Sequence, residues 1–273
     1  MTKSKKRTIV ITGASNGIGK AAAEALAKHN SVVIVGRSEA TKEVAKALDA
    51  DYYRADFSDL SSVKKLAKDL LKNYPKIDFL INNAGGAMGS ITTTKDGFES
   101  TIQVNYLAQF LLTELLLDRI VASKGAIINT SSSAHFTSNL KVEDIQSAKR
   151  PMIAYGNAKL LDLIHAKELD RRYSAKGVNA VSFHPGVVAT SFAVRSGSTF
   201  GIMSTGIIRA LLKSPEQGAD TLVWLVNNRK LWQNGAYYAN RKPGRTNRFA
   251  KDTAKHMAIW NETEVMLGLS KHV

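Results

Sequence analysis

The sequence predicts an α/β fold: a doubly wound, mostly parallel sheet of seven strands with helices on both faces. Three observations carry this. Short β-branched runs alternate with longer helical stretches along the whole chain. Most runs are continuous in apolar character rather than alternating, as strands covered on both faces require. A glycine-rich turn joins the first run to the first helical stretch. No internal repeat, low-complexity tract or linker-like shift in composition divides the 273 residues, so one domain over residues 1–273 is expected.

The elements follow in order. A first strand is expected at 8–12, where basic N-terminal residues give way to TIVIT. A helix over 19–28 opens on glycine and the small residues Ala21, Ala22 and Ala23. The run SVVIVG places a strand at 31–36, followed by a helix at 40–48, a strand at 50–55 and a helix at 60–71. A strand at 77–82 leads to a long apolar helix over 97–121. Strands at 125–131, 179–184 and 236–239 alternate with helices at 154–173, 216–227 and 248–267. Two long connections, 133–152 and 187–214, break the rhythm. Both follow C-terminal strand ends, the side where open parallel sheets bind ligands, so both are expected to be substrate loops.

Composition removes several chemistries. With no cysteine, a disulfide scaffold, a thiolate zinc site, a catalytic thiol and an iron–sulfur centre are all excluded. The six histidines include no His-x-x-x-His pair, so no metal is expected. The net charge of +15 fits a nucleic-acid surface, an anionic membrane, an anionic cofactor or a basic soluble exterior. The greasiest stretch, 110–121, is interrupted by Glu114, Asp118 and Arg119, so no transmembrane segment is expected. The N-terminal residues carry no apolar signal region, and a cytoplasmic location is the expectation. The basic stretch at 241–248 lacks aromatic platforms and reads as a solvated turn, with no nucleic-acid partner.

Chemistry concentrates at a few motifs. The first strand ends in Thr12-Gly13-Ala14-Ser15-Asn16-Gly17-Ile18-Gly19-Lys20, where glycines let backbone amides approach a pyrophosphate. The spacing departs from Gly-x-Gly-x-x-Gly, and a plain turn is the competing reading. After the second strand stands Arg37, with no acidic residue before it. An arginine here accommodates a 2′-phosphate, which favours NADP(H) over NAD; the alternative is a solvated surface arginine. Asp56 either receives the adenine amino group or caps a helix near Ser58 or Asp59. Tyr155 and Lys159 are four apart on one expected helix face. A neighbouring ammonium favours the phenolate and pulls the tyrosine toward working pH, as proton exchange with a carbonyl oxygen needs. The alternative is an ordinary amphipathic helix. The run Asn129-Thr130-Ser131-Ser132-Ser133 supplies a hydroxyl that can polarise that oxygen.

Together these residues resemble the short-chain dehydrogenase/reductase family, whose fold is a Rossmann domain. The resemblance runs over essentially the whole chain: TGASNGIG, Asn82-Asn83-Ala84-Gly85, Asn105 in QVNYLAQF, the serine run, YGNAK, and His184-Pro185-Gly186 with Thr190. It implies a catalytic tetrad of Asn105, Ser132, Tyr155 and Lys159, with Ser131 and Ser133 within one residue of the assigned register. It implies cofactor contacts at Gly13, Ser15, Asn16, Gly17, Ile18, Gly19, Arg37, Asp56, Phe57, Asn83, Ala84, Gly85, Tyr155, Lys159, Pro185, Gly186, Val188 and Thr190. Asn105 is implied to anchor a water linking the lysine to solvent, and Lys20 is expected near the phosphates.

Phrases such as NTSSSAHF and FHPGVVATSF resemble the retinol dehydrogenase-like branch. The expected substrate is therefore a lipophilic or aromatic carbonyl or alcohol, and a homodimer paired through helices 97–121 and 154–173 is an option. No N-terminal anchor and no extra interaction module is expected, and the sequence holds no cysteine, which limits that branch-level transfer. The segment 191–212 reads equally as a lid over an apolar pocket or as ordinary packing, and Met88 and Phe136 are pocket candidates. His135 is expected to be a loop histidine, His184 structural and Trp260 a packing anchor. Two other functions compete: an NAD-linked secondary-alcohol dehydrogenase, which Arg37 disfavours, and a non-catalytic nucleotide sensor, which retention of Tyr155 and Lys159 disfavours.

Overall fold

The computed structural model describes residues 6–188 and 212–269. Thr190 and nearly all of the 191–212 segment lie outside the described residues. Among the described residues eight strands form one sheet: β1 (Thr8–Thr12), β2 (Ser31–Gly36), β3 (Asp51–Arg54), β4 (Phe79–Asn82), β5 (Ala126–Thr130), β6 (Asn179–His184), β7 (Tyr237–Ala239) and β8 (Lys242–Pro243). Their order is β3-β2-β1-β4-β5-β6-β7-β8, all parallel except the last pair. The eighth strand was absent from the expectation of seven. Its two residues are too few for a pattern, and a tight turn makes it. Asn240 and Arg241 both take positive φ, 49° and 63°, as a type I′ hairpin requires.

The helices are α1 (Gly17–Ala27), α2 (Ala40–Ala47), α3 (Leu60–Asn73), α4 (Ser100–Ile102), α5 (Ala108–Ala122), α6 (Pro151–Tyr173), α7 (Pro215–Asn227) and α8 (Thr253–Met266). Continuous apolar strands serve two cores at once. Ile9, Ile11, Ile34, Ile81 and Ile128 face a layer with α1 and α7, while Val10, Val33, Leu80 and Ile127 face α3, α5 and α6. Among the described residues no helix is long and apolar enough to cross a membrane.

Three expected boundaries moved for identifiable reasons. The single helix at 97–121 is α4, a π-helical turn at Gln103–Leu107, and α5, because an inserted turn leaves the apolar pattern almost unchanged. α6 starts at Pro151 rather than 154, with proline in its favoured first-turn position. The terminal helix splits into a 3₁₀ turn at Arg248–Lys251 and α8, because Asp252 is extended and its carboxylate accepts from the Lys255 amide.

Candidate active site

Between β1 and β4 the strand order reverses, and a cleft of about 430 Å³ opens at their C-terminal ends. Gly13 follows β1 with φ +66°, and a Cβ there would lie 2.7 Å from Ala84 Cα. Only glycine lets the turn after β1 rest against the turn after β4. Thr12 Oγ1 accepts the Asn83 and Ala84 amides, both at 2.9 Å, and Asn83 Nδ2 donates back to Thr12 O at 3.0 Å. The two turns thus form one wall. The Asn16 side chain does not cap α1, whose first residues Gly17, Ile18 and Gly19 line the cleft and offer amide donors to an anion. That cradle fits a dinucleotide pyrophosphate.

The far rim carries Ser15, Asn16, Arg37, Asp56 and Phe57. The Arg37 side chain is 62% exposed, with its nearest carboxylate, Asp56, at 4.0 Å. Asp56 accepts from the Ser58 amide and hydroxyl at 2.9 and 2.7 Å, and Asp59 is the residue that caps α3. Lys20 pairs with Glu24 at 3.7 Å and does not line the cleft, against expectation.

Tyr155 and Lys159 line the opposite side, one turn apart on α6. Gly156 brings α6 close to the 3₁₀ turn Ser133–Thr137, since a Cβ there would stand 2.8 Å from Ala134 O. Ser132 caps that turn through the Ala134 amide at 3.2 Å, and its side chain hydrogen-bonds with Tyr155. Ser131 is buried and donates to Lys159 O at 2.6 Å, while the Ser133 amide donates to His184 Nδ1 at 3.2 Å. Lys159 Nζ donates to Thr130 O and to Asp162 Oδ2, each at 2.9 Å.

Burial of the phenol pushes Tyr155 above the ordinary tyrosine value; the Lys159 charge and the Ser132 bond pull it down without prevailing. The lysine acts in the expected direction, against the desolvation of the phenol. Burial also disfavours the Lys159 ammonium, yet Asp162 and Tyr155 hold it above its usual range.

Asn105 is fully buried on the π-helical turn. Its Nδ2 donates to Gly86 O and Thr101 O and its Oδ1 accepts the Gly86 amide, all at 2.9 Å. Its side chain clamps the Gly85–Gly86 corner from behind, and Val104 lines the cleft in its place. Asn83, Ala84, Gly85, Met88 and Pro185 also line it. Gly186 adopts φ +93° against the Lys213 side chain, and Val188 forms an isolated bridge with Lys213. His135 is buried, with Nδ1 donating to Ser132 O at 2.6 Å, so it pins the serine turn.

Beneath the site runs a buried polar chain that sequence reasoning missed. Asn82 Nδ2 donates to Asn129 Oδ1, and Asn129 Nδ2 donates to Asp162 O, both at 3.0 Å; His165 sits beside Asn129 at 3.2 Å. The available signal was Asp162 and His165 standing inside the apolar run LLDLIH. Among the described residues no cluster could hold a metal ion.

Comparisons with known proteins agree with this architecture. A protein of Streptomyces sp. (strain C5) bearing the name daunorubicin C-13 ketoreductase is 38% identical, over 96% of this chain and 93% of its own. Human retinol dehydrogenase 13 is 34% identical, over 96% and 85%. The crystal structure of an uncharacterised Mycobacterium paratuberculosis protein superposes with a TM-score of 0.78 at 29% identity, covering 98% and 96%. The family model for short chain dehydrogenase matches residues 7–199. With that match, and with relatives aligned along nearly its full length, the chain belongs to the short-chain dehydrogenases, oxidoreductases that act on alcohol and carbonyl groups with a nicotinamide cofactor.

Proposed function

We propose that this protein is an NADP(H)-dependent oxidoreductase that interconverts a carbonyl and an alcohol on a lipophilic or aromatic small molecule. The observation that carries this is the convergence of Tyr155, Lys159 and the glycine wall on one cleft, with Ser132 hydrogen-bonded to Tyr155. Arg37 supports NADP(H): it stands past the end of β2, largely exposed and held only by a long, solvent-exposed ion pair with Asp56 at 4.0 Å. The lipophilic substrate class is supported by exposed Phe136, Met152 and Val187, all beyond the C-terminal strand ends, and by the substrates that the relatives' names give.

When bound, the cofactor supplies or accepts a hydride at the substrate carbon. In reduction, Ser132 orients the carbonyl oxygen and Tyr155 gives that oxygen its hydroxyl proton. Lys159 stabilises the resulting tyrosinate, which recovers a proton from solvent; oxidation runs these steps in reverse. Asn105 holds the Gly86 corner, and so the wall that would hold the cofactor.

Turnover of NADPH and NADH with a panel of aldehydes, ketones and quinones tests the reading. NADPH is expected to be preferred. Arg37→Asp is expected to weaken NADPH relative to NADH by roughly 10–100-fold, the loss of a charge-assisted bond of about 1.5–3 kcal/mol. Unmoved cofactor selectivity would remove the 2′-phosphate assignment, and no turnover of any carbonyl would remove the enzymatic reading.

A further inference from the structure

An ion pair stands at the adenosine end of the cleft and belongs to none of the motifs. Gly36 ends β2 and Arg54 ends β3, and the two are register partners in that parallel pair. The Arg54 side chain thereby reaches the rim where the chain turns after β2. Its Nε donates to Arg37 O at 3.3 Å, and its Nη1 pairs with the Glu39 carboxylate. Glu39 precedes α2, two positions beyond Arg37, and its side chain caps no amide of that helix.

Two cations, Arg37 and Arg54, meet two anions, Asp56 and Glu39, at this rim. Asp56 is already engaged by the Ser58 amide and hydroxyl, and it approaches Arg37 only to 4.0 Å. Among the described residues, Arg54 is the one hydrogen-bond partner of the Glu39 side chain. The backbone keeps Glu39 within reach of Arg37, because the start of α2 is packed tightly on the end of β2. A Cβ at Gly36 would stand 2.5 Å from Thr41 Oγ1 and 3.1 Å from Ser15 Oγ. Released from Arg54, the Glu39 carboxylate has two outlets. It can turn onto the Arg37 guanidinium, or it can face an incoming phosphate as a like charge. Both oppose a 2′-phosphate.

We infer that Arg54 is a positioning residue for cofactor selectivity: it holds Glu39 off Arg37 and anchors the Arg37 backbone, leaving that guanidinium for the 2′-phosphate. This rests on the 2′-phosphate role proposed for Arg37. NADH carries a hydroxyl in place of that phosphate, so the pair bears on NADPH far more than on NADH. A freed acidic side chain near the ribose even favours the NADH hydroxyls. Arg37 supplies the contact, and Arg54 keeps it available.

The test is equilibrium binding of NADPH and NADH to the free protein, read by fluorescence titration at low ionic strength, where exposed charges are least screened. The Arg54 and Glu39 side chains are 52% and 71% exposed, so neither replacement uncovers the core. Arg54→Gln is expected to weaken NADPH about tenfold and to leave NADH within about twofold of wild type. Arg54→Lys keeps the charge and is expected to lose no more than about threefold. Adding Glu39→Gln to Arg54→Gln is expected to bring NADPH back to within about threefold of wild type, since the charge to be restrained is gone. A purely structural role would give no such recovery, because removing a second side chain rebuilds no lost contact.

Unchanged NADPH binding in Arg54→Gln would overturn the inference, as would equal losses of NADPH and NADH. Failure of Glu39→Gln to restore NADPH binding would overturn it too. A wild-type protein that binds both cofactors equally, with Arg37→Asp altering neither, would instead defeat the 2′-phosphate assignment itself, so the two failures are distinguishable.

Discussion

At the scale of single residues, the site depends on atoms that cannot be enlarged or recharged. Gly13→Ala combines an unfavourable positive φ with a clash against Ala84. It is expected to cost about 1–3 kcal/mol of stability and to weaken NADPH binding at least tenfold, read by denaturant unfolding and fluorescence titration. Unchanged binding would mean that the Gly13 turn does not shape the cofactor wall. The residues legible in the sequence were those whose chemistry comes with a local spacing, such as Tyr155 with Lys159, or the glycines after β1. Asp162 and Asn129 were not legible as a pair: they are far apart along the chain and meet only when β5 lies beside α6. The direction of the Tyr155 shift was hidden for a related reason. Spacing places the lysine, but only packing shows how much water the phenol loses.

At the scale of elements, strands and helices were legible because their apolar periodicity is strong; their junctions were not. The π-helical turn inside 97–121 inserts one residue into a run that is apolar almost all round, so no register change shows, yet it carries Asn105. Pro151 at the start of α6 and the Ser214–Gln217 capping box of α7 were readable start signals. The layer formed by α5, α6 and α8 also holds a strained carboxyl. Burial pushes Glu114 up to about 8, Glu264 repels it further, and Arg172 pulls the other way. A carboxyl raised on folding binds more protons in the native state, so its contribution to stability falls as pH rises from about 4.5 through about 8. Glu114→Gln is therefore expected to flatten that part of the pH–stability curve and to gain about 1–2 kcal/mol at pH 9 relative to wild type. Urea unfolding at pH 5.5 and pH 9 checks this, and an unaltered slope in the variant would exclude Glu114 as its source.

At the scale of the whole molecule, the strand order explains why motifs scattered from Gly13 to Pro185 meet: the reversal between β1 and β4 opens one crevice, and every parallel strand delivers its C-terminal residues to that edge. The basic surface is less informative than its size suggests. Of the +15, the cleft holds Arg37 and Lys159, Lys20 is paired with Glu24, and Arg241 pairs with Asp220. α8 closes the far side of the molecule, with Trp260 buried between Phe110 at 4.7 Å and the Arg172 guanidinium at 4.4 Å. These large-scale features serve a single claim, that the crevice performs proton-coupled hydride transfer with Tyr155 as the acid. The most direct measurement is NADPH-dependent carbonyl reduction by Tyr155→Phe, alongside NADPH binding to the same variant. The account predicts turnover lowered at least a hundredfold with binding within a few-fold of wild type, as loss of a general acid alone implies. Robust turnover by the phenylalanine variant would contradict it.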